Sequence, residues 1–215
     1  MAVLNVNPTR MELTSLKRKL TTAVRGHRLL KDKRDELMRQ FLELIYENRD
    51  LRKKVESVIK KASKHMAVAG SIMQSEVLDT ALMMPKQQIS VLVEEKNVMS
   101  VLIPKYIVKY KTNDMTDIYS YGYAFTSSDM DEAVFSLSDL LPDLIRLAEV
   151  EKSCQLLSGE IEKTRRRVNA LEHVLIPRYK ETIRYITMKL DENERSTTTR
   201  LMKVKDMMIK ENFKK

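Results

Sequence analysis

The sequence predicts a mainly α fold: a long antiparallel two-helix coiled coil formed by the N- and C-terminal arms, with a small β-hairpin-containing elbow module between them. Three observations carry that reading. Only four of the 215 residues are Gly and five Pro, with no Trp, so helix breaks are few. Apolar residues recur at alternating spacings of three and four over two long stretches. The stretch separating them alternates apolar and polar residues instead.

The first apolar series runs Leu13, Leu16, Leu20, Ala23, Leu30, Leu37, Phe41, Leu44, Leu51, Val55 and Val58. One heptad position, from Leu16 through Ala23, Leu30, Leu37, Leu44 and Leu51 to Val58, carries no polar residue. The other is interrupted by His27, Arg34 and Asn48, polar seam groups of the kind that fix register or leave room for a partner. The second series starts near Ser136 and passes Leu137, Leu140, Leu144, Leu147, Val150, Cys154, Leu157, Ile161, Thr164, Val168, Leu171 and Leu175. Pro177 removes a backbone donor, yet Tyr179, Ile183, Ile186 and Leu190 resume the pattern in shifted phase, which predicts a kink, not an end. Ser128 or Asp129 is in place to cap this helix. Arms of some 50 to 70 residues would make rods of roughly 75 to 105 Å. Periodicity alone leaves their pairing register open.

Between the arms, Ile89, Val91 and Val93 alternate with polar neighbours, and Val98 to Ile103 follows before Pro104, which predicts a hairpin over 89–103 turning at Glu95, Lys96 and Asn97. Tyr106, Tyr110, Tyr119, Tyr121, Tyr123 and Phe125 supply six of the chain's twelve aromatic residues. The predicted organisation is an N-terminal helix over 1–68, an elbow module over 69–130, and a C-terminal helix with a basic tail over 131–215.

Composition narrows the function. Cys154 is the only cysteine, and His27, His65 and His173 are far apart, so neither a disulfide nor a metal site is expected, and a reducing compartment is the simplest setting. No apolar run is long enough to span a bilayer, which predicts a cytoplasmic chain without membrane insertion. The four glycines build no phosphate-binding loop, dinucleotide turn or nucleophile elbow, so no catalytic residues and no cofactor are expected. Gly26, inside the first helix beside His27, is explained most simply by close helix approach, and His27 by a paired, satisfied role.

The net charge of +9 is uneven. Residues 10–64 hold 17 Lys/Arg against 8 Asp/Glu, and residues 200–215 hold 6 against 2, so a chain folded back on itself has one strongly basic end. Arg165, Arg166 and Arg167 are the densest cluster. A solvated helix face is their ordinary reading and contact with acidic protein their functional one. Nucleic-acid binding lacks both interleaved aromatics and a recognisable motif.

Three segments, LNVNPTRMEL at 4–13, GHRLLKDKRDEL at 26–37 and EKTRRRVNALE at 162–172, together resemble the D subunit of the V-type and A-type ATPases. The likeness covers both arms, continues more loosely through the elbow and fades after about Asn193. It implies a non-catalytic central-stalk protein whose paired termini enter a hexamer of A and B subunits, with the F subunit on its side. A funnel-shaped partner, the C or d subunit, joins it to the membrane ring, so the chain is peripheral to the membrane and couples ATP chemistry to H+ or Na+ translocation. Arg25, Arg28, Lys31, Arg165, Arg166 and Arg167 are the candidate interface residues, and the hairpin is a candidate docking or regulatory element. The alternatives are a basic coiled-coil adaptor that joins partners without rotating and a nucleic-acid-binding coiled coil.

Overall fold

The computed structural model describes residues 4–112, 115–122, 124 and 126–212. Helix α1 spans Arg10–Ile72 and a short α2 spans Ser75–Leu82. Strands β1 (Ile89–Val98) and β2 (Val101–Tyr110) form an antiparallel hairpin, followed by a 3-10 turn at Met115–Ile118. Helix α3 (Ser128–Ala170) then runs through a π turn (Leu171–Leu175) into α4 (Ile176–Asn212).

The heptad reading of α1 holds along its length. Every seam position from Leu13 to Val58 is buried or half-buried, including polar His27, Arg34 and Asn48, and the pattern extends to buried Ala62 and Ala69. On α3 the buried residues Met130, Ala133, Leu140, Val150, Leu157, Ile161, Thr164 and Val168 carry the facing stripe. One expected seam member departs from it: Leu137 is exposed, whereas Cys154 is half-buried beside buried Ser153. The helix also begins at Ser128, eight residues before the periodic run, and passes Pro142 without a break.

The chain divides into two compact units. Unit 2, Glu36–Ile161, has a core of Leu37, Val101, Leu157 and Ile161, with Phe41, Leu44, Ile103 and Leu156 packed against it, so the hairpin shares a core with both helices. The ion pairs Arg146 with Glu47 and Lys54 with Asp143, at 2.8 and 2.6 Å, and the approach of His65 to Asp129 at 3.4 Å, mark the register. As the residue number climbs along α1 the partner number falls along α3, which is antiparallel pairing. Unit 1, Met1–Asp35 with Glu162–Lys215, pairs the same way. Arg10 pairs with Glu194 and His27 faces Glu172, while ahead of α1 the Leu4 amide donates to Thr182 Oγ1 at 3.2 Å, outside that helix pairing.

Three expectations need correction. The hairpin turns at Met99–Ser100, not at 95–97, and β2 reaches Tyr110, beyond the expected 103. Val98 and Val101 are the last pair, leaving a two-residue loop whose φ angles, 51° and 71°, are both positive, as a tight turn between twisted strands requires. With no glycine there, the Asn97 side chain accepts from the Ser100 amide at 2.9 Å and holds the turn. The helix α3 starts after Ser127, so neither Ser128 nor Asp129 caps it, and the Asp129 carboxylate faces His65 instead. Finally, a Cβ built on Gly26 meets nothing within 4 Å, so close helix approach does not explain that glycine.

Of the expected aromatic cluster, Tyr119 and Tyr121 stack edge to face with centroids 6.0 Å apart, and the Tyr121 hydroxyl donates to Asp131 at 2.7 Å. Burial, then that carboxylate, pushes the Tyr121 phenol upward. Tyr123 and Phe125 lie outside the described residues.

Candidate interaction surface

The candidate residues fall in one unit. Arg25, Arg28 and Lys31 stand on the unit 1 part of α1, and Arg165, Arg166 and Arg167 on its α3 part, all exposed. Helix periodicity explains their direction: Thr164 and Val168, each 1% exposed, occupy the seam, so the three residues between them point outward. Arg166 pairs with Glu162 one turn back, the ordinary local partner of a helix-surface arginine. Arg25, Arg28, Lys31, Arg165 and Arg167 make no ion pair among the described residues.

Among the described residues, unit 2 carries more ion pairs than unit 1, whose pairs include Arg10 with Glu194, Arg34 with Asp35, Arg166 with Glu162 and Lys189 with Glu192. Arg39 is clasped by Glu36 and Glu43, at 2.6 and 2.8 Å, and Arg52 reaches Glu56. Arg146 bridges Glu47 and Glu149, while Glu149 also accepts the Tyr106 amide of β2 at 2.8 Å, so one carboxylate ties the hairpin, α3 and, through Arg146, α1. The Arg39 guanidinium and Gln40 amide hold the Glu36 carboxyl down at about 2. The contrast shows in the totals: unit 1 holds 24 Lys/Arg against 11 Asp/Glu, a net +13, and unit 2 holds 15 against 19, a net −4. Sequence reasoning found the basic excess at the two termini; the structure gathers it into one unit.

His27 Nε2 lies 3.3 Å from Glu172 Oε2, the paired arrangement expected of a seam histidine. Among the described residues no group of three or more His, Cys, Asp or Glu is placed to hold a metal ion. No helix there is long and apolar enough to cross a membrane.

On β1 nearly every side chain is exposed, with Val91, Leu92 and Val93 consecutive and uncovered, whereas β2 buries Val101 and half-buries Ile103. The hairpin therefore seats one strand on the helices and presents the other. Periodicity identified the strands without distinguishing which of them is covered.

Comparison with known proteins gives the same answer over nearly the whole chain. Residues 12–206 match the family described as the D subunit of ATP synthase. The V-type ATP synthase D subunit of Acetivibrio thermocellus is 57% identical over 216 residues, covering 100% of this chain and 97% of its own length. That of Clostridioides difficile is 59% identical, covering 98% of this chain and 94% of itself, and that of Clostridium novyi is 58% identical, covering 98% of each. With the family match spanning both helical arms and the hairpin, this chain belongs to the ATP synthase D-subunit family.

Proposed function

We propose that this component of a V-type ATP synthase complex is its central rotor shaft. In this reading it carries torque between a hexamer of A and B subunits, which hydrolyse or make ATP, and the ion-translocating membrane ring. The F subunit binds its side, and the funnel-shaped C or d subunit links it to the ring. The chain contributes no catalytic group and sits peripheral to the membrane through the complex.

The observation that carries the proposal is the division of charge within one heptad-patterned pair of arms. In unit 2 the helices and the hairpin share a packed core, and the net charge is −4 against +13 in unit 1. In unit 1, the exposed cations Arg25, Arg28, Lys31, Arg165 and Arg167 have no ion-pair partner among the described residues and are free to meet acidic surfaces of the hexamer. A rotor needs contacts of that kind. Exposed, partly solvated charge pairs are individually weak and give fast, reversible association, so no single interface traps the shaft. Each A–B interface then shifts its preference for the rotor as nucleotide binds, reacts and leaves. The domain boundaries proposed for this role remain 1–68, 69–130 and 131–215, with the hairpin as a docking or regulatory element.

Reconstitution with cognate A and B subunits, followed by single-molecule tracking of a probe on the hairpin during ATP hydrolysis, tests the reading. One-way stepping in thirds of a turn is expected. Assembly without rotation in a hexamer that hydrolyses ATP overturns it in favour of a static adaptor. Charge reversal at Arg165, Arg166 and Arg167 is expected to lower retention or coupling, and unchanged retention and torque remove them from the interface.

A further inference from the structure

The π turn leaves a mark on unit 1. The Ile176 amide donates to the Leu171 carbonyl, five residues back, and Pro177 has no amide hydrogen to restore the α pattern. Leu175, which the heptad pattern assigns to the seam, is 38% exposed. No residue of the π turn is buried, and the next buried positions of unit 1 along the chain are Val168 before it and Thr182 after it.

Beside this turn lies a groove of about 870 Å³. Its apolar lining includes Ala23, Leu171, Leu175 and Tyr179, and Arg18 and Lys19 stand on its rim. Both cations are exposed and neither has an ion pair among the described residues. No carboxylate lines the groove, in a unit whose net charge is +13. Apolar surface beside uncompensated positive charge is stabilised by an occupant with the complementary arrangement.

We propose that this groove receives an acidic polypeptide segment of a neighbouring protein of the ATPase, with an apolar side chain seated on Leu171 and Leu175 and carboxylates against Arg18 and Lys19. The proposal rests on the shaft reading and adds to it a site separate from the arginine cluster. A nucleic-acid backbone would satisfy the two cations and leave the leucines in water, so the lining favours polypeptide.

The test uses the full chain assembled with cognate A and B subunits. A benzoylphenylalanine photo-crosslinker replaces Thr22, which lines the groove, in one variant and Arg165 in another. The expected result is that the probe at Thr22 forms adducts with a segment of A or B in which carboxylates flank an apolar residue. Combining it with Arg18→Glu and Lys19→Glu is expected to cut adduct yield by about tenfold or more, and Arg18→Gln with Lys19→Gln by less. Unchanged far-UV circular dichroism and melting establish that these exposed substitutions leave the chain folded. Adducts from the Arg165 probe but none from Thr22 overturn the groove and leave the shaft standing. Silence at both positions in an intact complex overturns the groove and removes Arg165 from the interface, leaving the shaft reading to the rotation test. Adducts to nucleic acid or to a segment without carboxylates, or a yield indifferent to charge reversal, also overturn the groove.

Discussion

Replacing Gly26 with alanine adds one methyl group to α1 at a place where the structure leaves room for it. A Cβ there meets no atom within 4 Å, and no described glycine has positive φ, so alanine brings neither clash nor backbone strain. What changes is the unfolded chain, whose backbone loses freedom when glycine becomes alanine. A helix interior rewards that exchange with about 1 kcal/mol. Gly159, on α3, has the same open surroundings. The two sites lie in different units, so their effects should add to within about 0.5 kcal/mol, and the double variant should gain about 2 kcal/mol. Equilibrium urea unfolding of the full chain, followed by far-UV circular dichroism, measures this as a shift in midpoint at constant slope. A neutral or destabilising Gly26→Ala would refute the reasoning, because it would require an atom near Gly26 that the structure does not place there. A gain in stability accompanied by weaker assembly with A and B would locate a partner's backbone against the helix at that glycine.

Three further outcomes are expected. Glu149→Ala should cost about 1–3 kcal/mol in urea unfolding, because it orphans the Tyr106 amide and removes one of the two carboxylate partners of Arg146, and should speed hydrogen exchange at Tyr106; Glu149→Gln, which keeps an acceptor, should cost less. Ser100→Gly should stabilise the chain by about 1 kcal/mol by relieving a φ of 71°, while the bond from the Ser100 amide to Asn97, a backbone donor, survives; slower exchange across the hairpin would check it. The Glu36 carboxyl is depressed from 4.5 to about 2 by Arg39 and then Gln40, so its contribution is present above pH 4.5 and is lost as pH falls from there towards 2. An NMR titration midpoint near 2, and a flatter stability profile over that window in Glu36→Gln, are the checks.

What the sequence made legible was phase. Apolar spacing of three and four assigned the seam of α1 correctly even at His27, Arg34 and Asn48, because a helix that keeps phase for several heptads carries its polar members into the interface with the rest. Register was not legible, since periodicity orients each helix without sliding it against the other. Side-chain pairs such as Lys54 with Asp143 and His27 with Glu172 reveal it in the structure. The hairpin turn was misplaced because Glu95, Lys96 and Asn97 are polar and Met99 is not. Cross-strand pairing of Val98 with Val101 outweighed that local preference and drove Met99 and Ser100 to positive φ. Helix α2 gave no signal, as Gln74 at its N-cap makes no side-chain bond. At the candidate surface, the basic residues were plain, and so in principle was the Glu162 to Arg166 spacing that pairs one of them. The groove beside Leu175 was hidden, although Pro177 flagged its neighbourhood, because a π turn takes an extra residue that heptad counting does not allow for.

One apolar pattern supports two kinds of surface, and the difference bears on mechanism. Arg25 and Arg28 are three residues apart on α1, as are Arg28 and Lys31, so these like charges neighbour one another on the helix face and destabilise it by about 0.2–0.5 kcal/mol per pair. Unit 1 bears this repulsion while burying few side chains, namely Leu16, Thr164, Val168, Thr182 and Ile186 among its described residues. Self-repulsion with so little core is a poor way to stabilise two helices and a good way to make their stability depend on an acidic neighbour. Salt separates the two effects by sign. Screening relieves repulsion within the free chain and raises its stability, while it weakens attraction to an acidic partner and lowers assembly. A surface optimised only for the chain's own fold would not show that opposition, and unit 2, whose Arg39, Lys54 and Arg146 already have partners, is expected to lose stability with salt where unit 1 gains it.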